Sequence, residues 1–551
     1  MLSIQNLSFQ HHAASHPALR NISMTVEPGM FVGVVGPSGS GKSTLLRALN
    51  GLVPHFHGGK LGGSVIADGQ DTRRVDTAEL SQIVGFVSQE PEAQTVFDTV
   101  VDEIAFGPEN LGLSQRDIEQ RVGNALQTLK ITHLGERDIA TLSGGERQRV
   151  VIAATLAMGS RLLVLDEPLS QLDPWAARDL LETLDELRRS DRVAVIVAEH
   201  RIDHLLPHCT HVLELAAGES SFGLQSRQAA VDTLQRKPAL ARLAQIVGWP
   251  EIPARIEDAK WLHQRHGPAL IPATREVSEA GTVRLEARQA AIQQGERHVI
   301  ADIDLTVPPG TIQAIVGPNG AGKTTILRVL AGLQRPDLGT VQFEGTPVHE
   351  LSGTFRQRSI GYVPQYPASL FLGETVREEI DIALEHETAG RTTTEVLEAF
   401  SLTGLADRFS WDISGGERQR LAIAIAVAAE PSVLLLDEPT RGMDSTARQS
   451  LYAMLDRLKR AGIAIFIATH DMDLVCTTAD RVIQLDQGRI TSAGTVSEII
   501  GHDPVLQTDV ARVFGPSFLT CDQVEAAVEE SAALTNRHRV MSPNLVLKAR
   551  I

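Results

Sequence analysis

Gly36-Pro37-Ser38-Gly39-Ser40-Gly41-Lys42-Ser43 and Gly317-Pro318-Asn319-Gly320-Ala321-Gly322-Lys323-Thr324 fit one pattern, G-x-x-x-x-G-K-[ST], at two places in one chain. The two lysines lie 281 positions apart, and the apolar runs 31–35 and 312–316 lead into the two loops. A helical pattern follows, Ser43-Thr44-Leu45-Leu46-Arg47-Ala48-Leu49 in the first case. Strand, Gly-rich loop and helix together make a phosphate-binding unit. One match can arise by chance; two at repeat spacing with the right flanks predict two nucleotide sites. Glycines let backbone N–H groups curl around the β- and γ-phosphates, Lys42 and Lys323 offset the phosphate charge, and Ser43 and Thr324 offer hydroxyls to Mg2+. Thr44 and Thr325, next in sequence, extend the expected contact set.

A length of 551 residues exceeds what one hydrophobic core usually serves, so the repeat divides the chain into two lobes. The formal charge of −17 argues against a broad nucleic-acid footprint, and no nucleic-acid partner is expected. Cys209, Cys476 and Cys521 are scattered without a C-x-x-C pair, which predicts three buried thiols in a reducing compartment rather than a disulfide framework or zinc site. Met1-Leu2-Ser3-Ile4-Gln5-Asn6 lacks the basic and apolar segments of a signal peptide. The most apolar stretch, 421–429, is cut by Glu430-Pro431, well short of the ~20 residues a spanning helix needs. Any membrane role is therefore expected to be peripheral.

Later in each lobe Leu162-Leu163-Val164-Leu165-Asp166-Glu167 and Val433-Leu434-Leu435-Leu436-Asp437-Glu438 read as strands buried on both faces that end in two carboxylates. The C-terminal tips of such parallel strands are where ligands bind. Asp166 and Asp437 are candidates for holding Mg2+, and Glu167 and Glu438 for polarising the attacking water as general bases. His200 and His470 follow further apolar runs and are candidates for contacting the γ-phosphate or orienting that water; a lone histidine is more often structural, so their place in the series carries the reading.

Leu142-Ser143-Gly144-Gly145-Glu146-Arg147-Gln148 and Ile413-Ser414-Gly415-Gly416-Glu417-Arg418-Gln419 resemble the signature of ATP-binding cassette ATPases. The resemblance covers about residues 1–225 and 282–500. It implies ATP and Mg2+ as cofactors and an α/β fold of tandem cassettes, each a mainly parallel sheet flanked by helices with an antiparallel β subdomain and a helical signature subdomain. Gln89 and Gln365 match the family's glutamine loop, which senses Mg2+ and the transport partner, and Asp173 and Asp444 its aspartate loop. In this family the signature Ser and Gly residues cap the γ-phosphate held by the opposite cassette, so Lys42 and Glu167 are expected to work with Ser414, and Lys323 and Glu438 with Ser143, in an intramolecular cassette dimer. Neither set has lost a motif residue, so both sites are expected to hydrolyse ATP. Related cassettes place an aromatic before the phosphate loop to stack on adenine. Here His11 and Ile292 occupy that place, which implies weak base selectivity; Phe9 is an alternative that reads better as core.

The segment from Gln89-Glu90-Pro91-Glu92-Ala93-Gln94 through Thr99-Val100-Val101-Asp102-Glu103-Ile104-Ala105-Phe106-Gly107-Pro108 is similar to energy-coupling factor importers, and Asn50-Gly51-Leu52-Val53-Pro54-His55-Phe56 to their fused double ATPases, some linked to thiamine precursor uptake. This implies an importer for a vitamin, vitamin precursor or metal ion. Its partners would be an integral membrane coupling subunit and a small substrate-binding membrane subunit, with this chain at the cytoplasmic face of the membrane. A soluble twin-cassette translation factor would carry a highly charged helical linker, and a DNA-repair cassette protein coiled coils or zinc cysteines; neither is present. A sugar importer's fused ATPase is a nearer alternative. The expected domains are 1–225, a helical extension and linker at 226–281, 282–500, and an extension at 501–551 without a readable motif. In the linker, Leu240, Leu243, Ile246 and Val247 sit at helical spacing, and Trp249 and Trp261 are expected as packed anchors between repeated prolines.

Overall fold

The computed structural model describes the chain apart from residues 13, 15, 38, 90–92, 171, 192, 201, 236, 269, 273–282, 296, 386–389, 442, 444 and 542–551; of 191, 297, 357, 445, 446 and 532–541 it describes the backbone alone. Ser38, Asp444 and the Glu90-Pro91-Glu92 stretch, singled out above, lie outside the described residues. The chain divides into two compact units, Met1–Gly267 and Pro268–Ile551.

In the first unit a six-stranded sheet runs in the order Glu219–Ser226, His211–Ala216, Phe31–Val35, Ala194–Glu199, Leu162–Asp166, Val84–Val87. All neighbours are parallel except the first pair, an antiparallel hairpin. The three central strands are buried at every position, as continuous apolar runs covered on both faces should be. Alternate side chains serve different cores. Phe31, Val35, Leu163 and Leu165 meet the helical subdomain, formed by Val100–Asn110, Gln115–Thr128 and Gly144–Ala157. Val32, Val34, Leu162 and Val164 meet the phosphate-loop helix Lys42–Leu49 and a four-stranded antiparallel sheet. The second unit repeats the order with Arg489–Thr495, Arg481–Asp486, Ile312–Val316, Ala464–Ala468, Val433–Asp437 and Ile360–Val363, and has its own four-stranded antiparallel sheet.

The repeat reaches details that the motifs do not contain. In the antiparallel sheet of the first unit the register slips between Gln5 and Ser8, opposite Gly63, whose φ is 77° and where a Cβ would lie 2.3 Å from the Asn6 carbonyl oxygen. The second unit slips between Arg288 and Ala291, opposite Gly339, with φ 78° and a Cβ 2.2 Å from the Gln289 carbonyl. Only glycine fits such a bulge, which bends the strand.

After Ser226 come the helices Arg227–Thr233, Ala239–Val247 and Ile256–His266. Leu240, Leu243 and Trp249 are buried. Trp261 corrects its expectation: it is 48% exposed, and Arg265 lies over its ring at 4.7 Å. On the helix Ile256–His266 the inward face belongs to Ala259 and Leu262, which leaves the tryptophan outside. Cys209, Cys476 and Cys521 are all buried. Burial pushes the Cys209 thiol up to about 12, and its sulfur occupies the space that a side chain at Gly33 would need. Beyond residue 500 the helix Asp509–Phe514 buries Val510 and Val513, and Asp503 accepts a hydrogen bond from Gln484 Nε2 at 3.0 Å. Among the described residues no helix is long and apolar enough to cross a membrane.

Candidate functional site

Each phosphate loop leaves the C-terminal end of a central parallel strand and enters a helix whose first residue is the loop lysine. Gly41 and Gly322 cap these helices with φ of 98° and 104°. A Cβ on Gly41 would sit 2.5 Å from the Ala18 carbonyl, and one on Gly322 2.7 Å from that of Val299, so the tight entry into the helix needs glycine twice over. Lys42 Nζ donates to the carbonyls of Gly36 at 2.9 Å and Pro37 at 3.1 Å; Lys323 repeats this with Gly317 at 2.7 Å and Pro318 at 3.0 Å. Both ammonium groups are thus folded back across the loop with their carbon stems buried. Burial lowers the pKa of Lys42, against the opposing pull of Glu167, Asp166 and Glu199.

The carboxylates gather beside the lysine. Ser43 Oγ donates to Asp166 Oδ1 at 3.1 Å, and Thr324 makes the corresponding bond to Asp437. Burial, the largest influence, raises both aspartates, Asp437 to about 6. Asp437 Oδ2 is buried with no hydrogen-bond partner among the described residues. A buried carboxylate oxygen left unpaired next to a hydroxyl is the donor set that a hard cation with oxygen ligands completes, so the residues present fit Mg2+. Ionising Asp437 costs the fold: its folded pKa lies above the usual value of 3.8, so the cost is fully developed above about pH 6 and fades as pH falls towards that value. At 1.36 kcal/mol per unit the full cost is on the order of 3 kcal/mol. Asp437→Asn is accordingly expected to raise the stability of the nucleotide-free protein at pH 7.5, by up to roughly 2 kcal/mol once the amide left at the unpaired position is allowed for. Denaturant titrations should show the gain shrinking by pH 5; a variant less stable than the parent at pH 7.5 would contradict the assignment.

Glu167 and Glu438 turn out of their strands with φ of 48° and 49°. Each is pinned by its own N–H, donated to Ala198 O at 3.0 Å and to Ala468 O at 2.8 Å. His200 Nε2 lies 2.6 Å from Glu167 Oε1, its Nδ1 lies 3.4 Å from Lys42 Nζ, and Gln89 Nε2 donates to Glu167 Oε2 at 3.1 Å. Lys42, Glu167, Gln89 and His200 are therefore one connected cluster. Burial alone would raise Glu167; the hydrogen bond and charge of His200, with Lys42, outweigh it and hold this carboxyl below its usual range. In the second unit His470 Nδ1 lies 2.8 Å from Glu438 Oε2, which also accepts from Thr469 Oγ1 at 3.4 Å. Gln365 is half-buried there.

Ser143 and Ser414 begin the helices Gly144–Ala157 and Gly415–Ala428 as N-caps of reciprocal boxes with Glu146 and Glu417. Ser143 N donates to Glu146 Oε2 at 2.8 Å and Ser414 N to Glu417 Oε2 at 2.7 Å. Gly144, Gly145, Gly415 and Gly416 form the first turns, so a row of N–H groups opens at each helix start. Phe9 and Ile292 are core residues, buried to 1% and 5% exposure, whereas His11 is half-buried and stands edge-on against Phe9 at 4.8 Å.

The sequence reading missed the residues just ahead of the histidines. Glu199 is buried at the end of its strand, accepts from Leu169 N at 2.9 Å, and pulls on Lys42; its counterpart is the neutral Thr469. A carboxylate closing the apolar run Ala194–Glu199 was the available signal.

The sequence profile of the ABC transporter family matches residues 19–170 and 300–441. A Streptomyces avermitilis protein provisionally named an ABC transporter ATP-binding protein is 35% identical over 560 residues, which cover 96% of this chain and 100% of its own. A Bacillus subtilis protein provisionally named an HMP/thiamine import ATP-binding protein is 32% identical over 546 residues, 97% of this chain and 99% of its own. Among solved structures, an archaeal ribosome recycling factor in complex with a ribosomal stalk protein is similar with a TM-score of 0.59 at 22% identity, over 90% of this chain and 91% of that one. At that identity the likeness concerns the fold.

Proposed function

Because the chain belongs to the ABC transporter family of ATPases and joins two cassettes in one polypeptide, we propose that it powers an importer of the energy-coupling factor type from the cytoplasmic face of the membrane. Its cargo would be a vitamin, a vitamin precursor or a metal ion, carried by separate membrane subunits. Supporting this reading, the relative named for HMP/thiamine import aligns over nearly the whole of both chains. The observation that carries it lies after each glutamine loop. Val96, Phe97 and Phe106 are 66%, 40% and 38% exposed, Tyr366 and Leu372 66% and 79%, and the rings of Phe97 and Phe106 meet at a tilt with centroids 5.3 Å apart. Exposed apolar and aromatic side chains that follow Gln89 and Gln365 in sequence suit docking against a partner's helices.

In the proposed cycle Lys42 and Lys323 neutralise the phosphates, and Asp166 with Ser43 and Asp437 with Thr324 would hold Mg2+. That ion supplies charge stabilisation for the transferring phosphoryl group. Glu167 and Glu438, kept in place by His200 and His470, accept the proton of the attacking water. Ser414 completes the first site and Ser143 the second, so ATP draws the cassettes 1–225 and 282–500 together and hydrolysis releases them. The stretch 226–281 keeps the two at high effective concentration.

Phe97→Asp with Leu372→Asp tests the docking. The double variant is expected to leave the membrane fraction on centrifugation while retaining ATP binding. Unchanged sedimentation with the membranes would refute docking through these residues.

A further inference from the structure

In the first unit, a cavity of about 290 Å3 opens at the end of the sheet opposite the phosphate loop. Its wall brings together the C-terminal turn of the helix Pro174–Asp191, the loop before His211–Ala216, the start of the helix Arg227–Thr233, and the residue before Ile256–His266. Four guanidinium groups line it, those of Arg188, Arg189, Arg227 and Arg255, against the single carboxylate of Asp185. In a chain of net charge −17 that is a local reversal of sign.

Asp185 spends both oxygens on Arg188 and Arg189, at 2.8 and 2.5 Å. Arg188 also donates to Gly29 O at 3.1 Å and Arg227 to Pro207 O at 2.9 Å, so two of the cations are fixed by backbone before anything binds. Among the described residues no carboxylate lies within ion-pair distance of Arg227 or Arg255. Burial, and next the charge of Arg255, hold the Arg227 guanidinium below its usual range. Asp258 and Asp185 act on Arg227 only at longer reach.

We propose that this cavity is a second ligand site, distinct from the nucleotide site, for the phosphate group of a small phosphorylated molecule. Planar guanidinium groups converging from several elements match phosphate oxygens bidentately. The volume stands just below the roughly 300–1,000 Å3 of small-molecule sites, which suits a sugar-phosphate-sized compound at most. Thr210, on the same wall, exchanges hydrogen bonds of 3.0 Å with Phe31 N and O at the start of the strand that ends in the phosphate loop.

The test is a 31P NMR titration of glycerol 3-phosphate against the full chain carrying Lys42→Ala and Lys323→Ala, which silences the phosphate loops. Saturable line broadening is expected, weakened roughly tenfold or more by Arg255→Glu, an exposed position. In the otherwise native chain Arg255→Glu should leave ATP hydrolysis unchanged, which controls for folding. A parallel arm uses vesicles of phosphatidylcholine with and without phosphatidic acid. Binding of the vesicles alone, abolished by Arg255→Glu, would place the phosphate group on a lipid; binding of glycerol 3-phosphate would place it on a soluble metabolite. The proposal is overturned if neither probe binds, or if Arg255→Glu binds as well as the parent.

Discussion

Replacing both Glu167 and Glu438 by Gln is expected to cut phosphate release by ~10²- to 10⁴-fold while ATP stays bound. Glutamine keeps the size and the hydrogen bonds that the carboxylate accepts through one oxygen, but it cannot take a proton from water. The backbone would hardly change, since each residue is pinned through its N–H to Ala198 or Ala468. Glu167 is also well suited to stay a base: His200 and Lys42 overcome its burial and keep it ionised below the usual carboxylate range. Hydrolysis at the first site should therefore not be lost through this group until the pH falls below that range. Bound nucleotide and released phosphate, measured on the same preparation, check the prediction. Undiminished release from the double variant would remove both glutamates from the chemistry.

A second large effect should separate the crossed partners. With Glu167→Gln in place, turnover is left to the site formed by Lys323, Glu438 and Ser143. Adding Ser414→Arg then strikes a site already silent, so the rate should stay within about threefold of the single variant. Adding Ser143→Arg instead strikes the remaining site and should bring the rate to that of the double Gln variant, because residues acting as a unit are not additive. Each arginine disturbs a similar capping box, since Ser143 and Ser414 play the same role towards Glu146 and Glu417. Loss of stability is therefore matched between the two combinations. The reverse order of rates would assign each signature serine to its own cassette.

How much was legible follows from how local each feature is. Phosphate loops, the strands ending in Asp166 and Asp437, and the signature helices are each written in consecutive residues, and their chemistry constrains nearly every position. The bulges at Gly63 and Gly339 pair with Gln5–Ser8 and Arg288–Ala291 across many residues of chain, and a glycine in a strand pattern does not say which strand it faces. Trp261 read as an anchor because size suggests burial; the helix phase set by Ala259 and Leu262 decided otherwise. The arginine cavity draws on segments from Asp185 to Arg255, none with a motif, so only the fold assembles it. Glu199 against Thr469 was visible as a letter in the sequence, but its link to Lys42 needed the parallel strands Phe31–Val35 and Ala194–Glu199 side by side.

The proposal that this ATPase drives import stands or falls with what it is bound to. The most direct measurement is to tag the chain in its native host, extract the membranes in mild detergent, and identify the copurifying proteins by mass spectrometry. The account predicts an integral membrane coupling protein together with a small substrate-binding membrane subunit, whose ligand would then name the cargo. Ribosomal proteins with no membrane subunit would contradict it.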